Sequence, residues 1–134
     1  MPSAVRQAAA IPLMDGLVCM VTSRSGRRWV LPKGRIEVKQ SPAEAAVAEA
    51  WEEAGLIGLL SGGPVGSYEY EKYGVVHTVQ VFVLRVDSVR NNWPERNQRT
   101  REWVTPEEAI NRIEEPELRA IMASVCGVTV VGVE

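Results

Sequence analysis

Between Ser41 and Gly55 the sequence specifies both ends of one helix, and that helix constrains what must lie beneath it. Ser41 suits the N-cap, Pro42 the first helical position, and Glu44, three residues on from Ser41, completes a capping box. Gly55 suits the left-handed position that stops a helix. The spacing predicts a helix over 42–54. At about 100° per residue, Ala43, Val47, Ala50 and Ala54 fall on one stripe. Side chains this small allow close approach, so the stripe is expected to pack on a sheet.

Strand signals surround it. Ala8–Leu13 and Leu17–Thr22 are apolar runs of strand length split by Asp15-Gly16, a hairpin signal. Ser25-Gly26 marks a second turn, Trp29–Leu31 a short strand, and Pro32 and Gly34 open a loop. Tyr68–Tyr73 and Val75–Val86 read as two more strands. Residues 87–101 are polar and read as a long loop, followed by a short strand, Glu102–Val104. Thr105-Pro106-Glu107-Glu108 has the cap, proline and acidic first turn that begin a helix, and Pro116–Val125 reads as a last one. The apolar tail Val128–Val133 finds no place in this scheme. Strands outnumber dispersed helices, which predicts an α+β fold with a mixed β-sheet covered by helices. With 134 residues and no repeat or linker, residues 1–134 are expected to form a single domain.

The other side of the central helix is acidic. Glu49, Glu52 and Glu53 stand at i, i+3 and i+4, where like charges repel by a few tenths of a kcal/mol, roughly. Either they form a solvated face or something positive sits on them. A hard divalent cation that keeps waters for a phosphate to replace fits three carboxylates beside a Leu-Pro-Lys-Gly loop. Basic stretches flank this helix in sequence: Arg24, Arg27, Arg28, Lys33, Arg35 and Lys39 before it, and Arg85, Arg90, Arg96, Arg99 and Arg101 after it. The net charge of −2 gives no pull toward nucleic acid or membrane surfaces. Cys19 and Cys126 lack zinc-ligand spacing and read as buried free thiols of a reducing compartment. No apolar run reaches the length of a membrane span, and residues 1–10 lack a signal-type apolar core, so a cytoplasmic protein is expected. A homodimer is left open.

The segment from Gly34 to Leu56 resembles the Nudix box: Gly, five residues, Glu, seven residues, Arg-Glu, an aliphatic, any residue, Glu-Glu, any residue, Gly, an aliphatic. Gly34, Glu49, Glu52, Glu53, Gly55 and Leu56 fall on it. The Trp-Val-Leu-Pro-Lys-Gly entry at 29–34 and the Glu-Trp-Val at 102–104 are similar to that family too, so the resemblance covers about residues 8–122. Two positions depart from it: the first box glutamate is Gln40 and the box arginine is Ala48. That arginine usually helps hold the neighbouring glutamate, here Glu49; Lys33, Lys39 or Arg35 could substitute. Gln40 keeps an oxygen ligand but loses a charge. The Glu-Ala-Trp-Glu-Glu-Ala-Gly run and the Trp93-Pro94-Glu95 stretch look like the branch of diphosphoinositol polyphosphate and diadenosine polyphosphate hydrolases.

The resemblance implies a Nudix-like α/β/α sandwich and Mg²⁺-dependent (or Mn²⁺-dependent) hydrolysis of a diphosphate bond in a polyphosphorylated small molecule, a dinucleoside polyphosphate or an inositol pyrophosphate first. It implies metal binding by Glu49, Glu52, Glu53 and the Gly34 backbone or a carbonyl beside it. Glu49 would bind metal or orient the water, and Glu95 would add a further ligand or base. Lys33 and Arg35 would meet phosphate, and Arg96, Arg99 and Arg101 would grip the far end of a phosphate chain. Core or rim packing is the default for Tyr70, Tyr73 and Trp93, with stacking on a base as the alternative; His77 receives no catalytic role. The rival readings are a hydrolase of other nucleoside-diphosphate derivatives and a weakly catalytic binding module, the latter favoured by Gln40 and Ala48.

Overall fold

In the computed structural model, which describes residues 4–129, one mixed sheet is sandwiched between helices. In chain order the elements are β1 (Val5–Met14), β2 (Leu17–Thr22), β3 (Trp29–Val30), β4 (Lys33–Arg35), α1 (Pro42–Ala54), β5 (Leu56–Leu60) and β6 (Gly66–Lys72). They continue with β7 (Val75–Val89), β8 (Arg101–Val104), α2 (Pro106–Arg112) and α3 (Pro116–Cys126). The expected α+β fold is what forms. Residues 130–133 of the unassigned tail lie outside the described residues.

The centre of the sheet is a parallel pair, β1 beside β7, in register from Val5↔His77 to Leu13↔Arg85. Around it the pairings are antiparallel: β2, β3 and β8 on one side, β5 and β6 along β7, and β4 against the start of β1. Both tight hairpins turn on two left-handed residues, Asp15-Gly16 and Tyr73-Gly74, the twist that suits adjoining strands.

Strand alternation sorts the core into two layers. Ala8, Ala10, Cys19, Val21, Phe82 and Leu84 face α1. Ala9, Ile11, Val18, Met20, Val79 and Val81 face the other way, onto Ile110, Leu118 and Met122 of α2 and α3. The central strands read as continuous apolar runs because both their faces are covered.

Helix α1 has the predicted ends. Ser41 Oγ accepts from Glu44 N at 3.0 Å, and Glu44 Oε1 accepts from Ser41 N at 2.8 Å. Gly55 closes the helix at φ 70°. The stripe beneath it is Ala46, Ala50 and Ala54 with Ala45, all buried, and Ala43 at the edge of the same cluster; Val47 is 37% exposed, contrary to the expected stripe. The helix is rotated slightly from the simple projection because a second side must be buried as well: Glu53 is only 6% exposed. Two strands were not anticipated. β4 was read as loop, because Pro32 and Gly34 hide a three-residue strand that exists only by pairing with β1. β5 follows Gly55 at once and carries an interior glycine at a register shift against β7.

Candidate active site

Helix α1 is aimed by its C-terminal end. Its last turn carries no basic residue, so the exposed carbonyls and the negative end of the dipole need donors from elsewhere. Residues 90–101 supply them in succession. Glu95 N donates to Glu52 O at 3.0 Å, Trp93 Nε1 to Glu53 O at 3.0 Å, Arg101 Nη1 to Ala54 O at 2.7 Å, and Arg90 N to Gly55 O at 2.9 Å. Each such bond contributes about 1 kcal/mol net. The Arg101 guanidinium also lies 4.1 Å from the centre of the Trp93 ring. Trp93 and Arg101 therefore hold the helix; neither is free for a base or a phosphate chain, as the sequence had suggested. Arg96 lies on the exposed side of this loop, 3.5 Å from Asn91 O, and outside the cleft.

The helix places Glu49, Glu52 and Glu53 along a cleft of about 870 Å³, which Lys33, Gly34, Arg35, Glu95 and Arg99 also line. Glu53 is held from two sides. Its Oε1 accepts from Lys33 N at 3.2 Å and its Oε2 meets Arg99 Nη2 at 3.2 Å. Arg99 is 8% exposed. Its Nε donates to Glu95 Oε1 at 2.9 Å and its Nη1 to Thr22 O at 2.9 Å. With each of its three nitrogens engaged inside the protein, Arg99 is a partner of the acids. Glu49 lies against Gly34, so closely that a Cβ there would fall on its carboxyl group. Close approach, not an unusual φ, is what requires glycine at this position.

Two carboxylates, Glu53 and Glu95, thus share one guanidinium, with Glu49 and Glu52 lining the same cleft. Burial is the main reason the Glu53 carboxyl is pushed up to about 8; Arg99 and the Lys33 N–H oppose the rise, while the charges of Glu49 and Glu95 add to it. Glu49 is raised too, first by burial and then by the charge of Glu52, against a hydrogen bond with Glu53 that lowers it. Carboxyls driven toward protonation by burial and then by each other's charge are a site short of positive charge, which is what a hard divalent cation would provide. Among the described residues no three acidic, histidine or cysteine side chains form a ready-made metal cage. The donor set suits a cation that takes a few carboxylates and completes its shell with water and substrate oxygen, as Mg²⁺ does.

Neither departure from the box is filled in the expected way. Gln40 Oε1 accepts from Glu37 N at 2.9 Å and closes the 37–40 turn, so it is a loop residue and no ligand. Lys33, Lys39 and Arg35 make no ion pair with the cluster; the guanidinium comes from Arg99.

A second set of contacts in the cleft, which brings in Gln7, is not visible in the sequence. Lys33 Nζ donates to Tyr70 OH at 3.0 Å, and Tyr70 OH donates to Gln7 Oε1 at 2.7 Å. His77 stacks on Tyr70 with centroids 4.7 Å apart, and Lys33 Nζ stands 4.6 Å from the Tyr70 ring centre. Tyr70 is therefore occupied by its neighbours and is not an open stacking surface. Arg24 and Lys72 complete a partly basic rim. The only advance signal for this group was the alternation of β6 and β7, which puts Tyr70 opposite His77. Exposed Tyr73 lies outside the cleft, at the hairpin tip, 5.7 Å from Lys72 Nζ. Of the cysteines, Cys19 is buried, its thiol pushed up to about 12 by that burial, whereas Cys126 is only half-buried.

A model of the NUDIX domain family matches residues 4–125. The chain belongs to that family. Among curated relatives, it is 36% identical to diphosphoinositol polyphosphate phosphohydrolase 3-beta of Bos taurus, across 72% of this chain and 58% of that protein. It is 35% identical to Nudix hydrolase 4 of Arabidopsis thaliana, across 69% of this chain and 45% of that protein. The chain thus spans about half the length of the curated relatives it matches. Among solved structures, the C. elegans Ap4A hydrolase superposes with a TM-score of 0.76 at 18% identity, covering 93% of this chain and 98% of the other. A NUDIX hydrolase from Nitrosomonas europaea gives the same TM-score at 19% identity, covering 93% and 90%. These likenesses show that the sandwich described above is the Nudix fold.

Proposed function

We propose that this Nudix domain hydrolyses a diphosphate bond in a polyphosphorylated small molecule, a dinucleoside polyphosphate or an inositol pyrophosphate, with Mg²⁺ or Mn²⁺ held by Glu49, Glu52 and Glu53 beside Gly34. The observation that carries this is the surplus of buried negative charge opening into a cleft that also holds free basic side chains. A bound cation would neutralise phosphate charge and lower the pKa of a water. The chain's own residues do the rest. Lys33 and Arg35 meet the phosphates, Lys33 with its ammonium steadied by Tyr70. Glu49 takes the proton of the attacking water, a role suited to a carboxylate whose proton affinity is raised. Glu95, fixed by Arg99 through one oxygen, keeps the other for a ligand or a proton. Water adds to phosphorus, the bridging P–O bond breaks, and two phosphorylated products leave. Relatives named as a diphosphoinositol polyphosphate phosphohydrolase and an Ap4A hydrolase support this substrate class. Two free cysteines fit a reducing cytoplasm.

The second reading is a weakly catalytic binder, which the diversion of Gln40 into the loop favours. Incubation with Mg²⁺ or Mn²⁺ and a panel of diadenosine polyphosphates, inositol pyrophosphates, nucleoside triphosphates and ADP-ribose decides between them. Turnover of the first two classes, lost in Glu52→Gln and Glu53→Gln, is expected. Binding without turnover across the panel would reject hydrolysis.

A further inference from the structure

Glu53 is buried, yet it is not left without a cation. We infer that Arg99, from outside the box, is the positioning residue that fixes Glu53 and Glu95 as one acidic pair. This rests on the proposed hydrolase reading for its catalytic consequence, but not for the structural one.

Three observations carry it. First, Arg99 is enclosed, at 8% exposure, and its Nε, Nη1 and Nη2 are directed to three different acceptors. The planar fork spreads its donors over three nitrogens in fixed directions, whereas a lysine ammonium offers its three from a single point on a flexible stem. Second, the loop that carries Arg99 is tied to the same helical turn that carries Glu53. It donates to the carbonyls of Glu52, Glu53, Ala54 and Gly55, so the guanidinium and the carboxylate it holds share one frame. Third, the Thr22 anchor joins the loop to β2: Arg99 donates to Thr22 O, Thr100 N donates to Thr22 Oγ1, and Thr22 N donates to Thr100 O. A loop of eleven or so residues is thereby pinned on both sides of Arg99. The surrounding acids and bases are Glu49, Glu52, Glu53 and Glu95 on one side and Lys33 on the other, and the Lys33 ammonium is engaged by Tyr70. Of the bases that line the cleft, Arg99 is the one that pairs with these carboxylates.

The test uses Arg99→Ala and Arg99→Lys, with Arg96→Ala as a control on the exposed side of the same loop. Mn²⁺ affinity of the substrate-free protein is measured by calorimetry, and kcat and KM are measured separately. Loss of a ligand's supporting partner weakens metal binding or activity by about 10- to 100-fold. We expect that loss in Arg99→Ala, carried by kcat with KM changed by less than about threefold, as for a transition-state effect. Arg99→Lys should not restore it, guanidinium ion added to Arg99→Ala should restore part, and Arg96→Ala should match the parent. Mn²⁺ affinity and kcat of Arg99→Ala within about threefold of the parent would overturn the inference.

Melting of the metal-free protein tests the pair without any turnover. Arg99→Gln should lower the melting temperature strongly in the parent and much less in a Glu53→Gln background; additive shifts would equally overturn the inference. If the parent hydrolyses nothing in the panel, the functional reading fails alone, and this thermal cycle still decides the role of Arg99.

Discussion

Replacing Gly34 by alanine separates the site from the fold. A Cβ on Gly34 would come within 2.6 Å of Glu49 Oε1 and closer still to the rest of that carboxyl group. No real Cβ tolerates this, so one group must move, and the carboxyl end of a flexible side chain is what gives. The cost to folding is small. Forcing Glu49 off its rotamer costs about 0.5–1.5 kcal/mol, while exchanging a strand glycine for alanine returns roughly 0.5–1 kcal/mol. The net change stays within about 1 kcal/mol, a melting shift of about 3–5 °C for a chain of this size. The cost to function is large, because a displacement of about 1 Å at a catalytic carboxylate lowers the rate on the order of a hundredfold. The assay pairs thermal melting of the metal-free protein with Mn²⁺ titration and steady-state kinetics on a diadenosine polyphosphate. A variant that melts like the parent but loses metal affinity and turnover is expected. If Gly34→Ala keeps both within threefold, Glu49 has no duty where it packs on Gly34, and the assignment fails.

Other perturbations probe the same network. In the folded, metal-free protein Glu53 holds its proton up to about 8, well above the ordinary glutamate value of 4.5. The folded state then binds more protons than the unfolded chain in that window, so its stability falls as pH rises from about 5 to 8 and levels off above it. Melting in EDTA should show this decline, and either Mg²⁺ or Glu53→Gln should flatten it; a melting temperature that climbs across the window would contradict the burial argument. Arg101→Ala removes the 2.7 Å bond to Ala54 O and the contact with Trp93, and should cost about 1–2 kcal/mol in a denaturant titration. Ala48→Arg restores the family residue beside Glu49, which Arg99 does not contact; kcat or Mn²⁺ affinity should rise, and no change in either would show that Glu49 is already held.

What could be read in advance followed from local chemistry. The capping box, the glycine stop and the hairpin dipeptides are contacts between residues close in sequence, and the structure places them as read. Contacts across the chain are not legible in this way. Arg99 and Arg101 lie in a polar, basic stretch that suggests phosphate, and nothing within that stretch reveals that its donors point at the end of a helix forty residues earlier. Tyr70 was an aromatic residue on a strand; that Lys33, Gln7 and His77 engage it depends on which strands become neighbours.

The sequence alone determined the helix 42–54, the acidic triplet it carries and the family frame, because periodicity, caps and motif spacing are properties of the chain in one dimension. Tertiary structure decided which of those acids is buried, that Gly34 is the floor under Glu49, and that Arg99 ties Glu53 to Glu95. The reason is physical: burial and ion pairing depend on distances between elements, and those distances exist only once β1 and β7 have paired and the 90–101 loop has closed over the end of the helix.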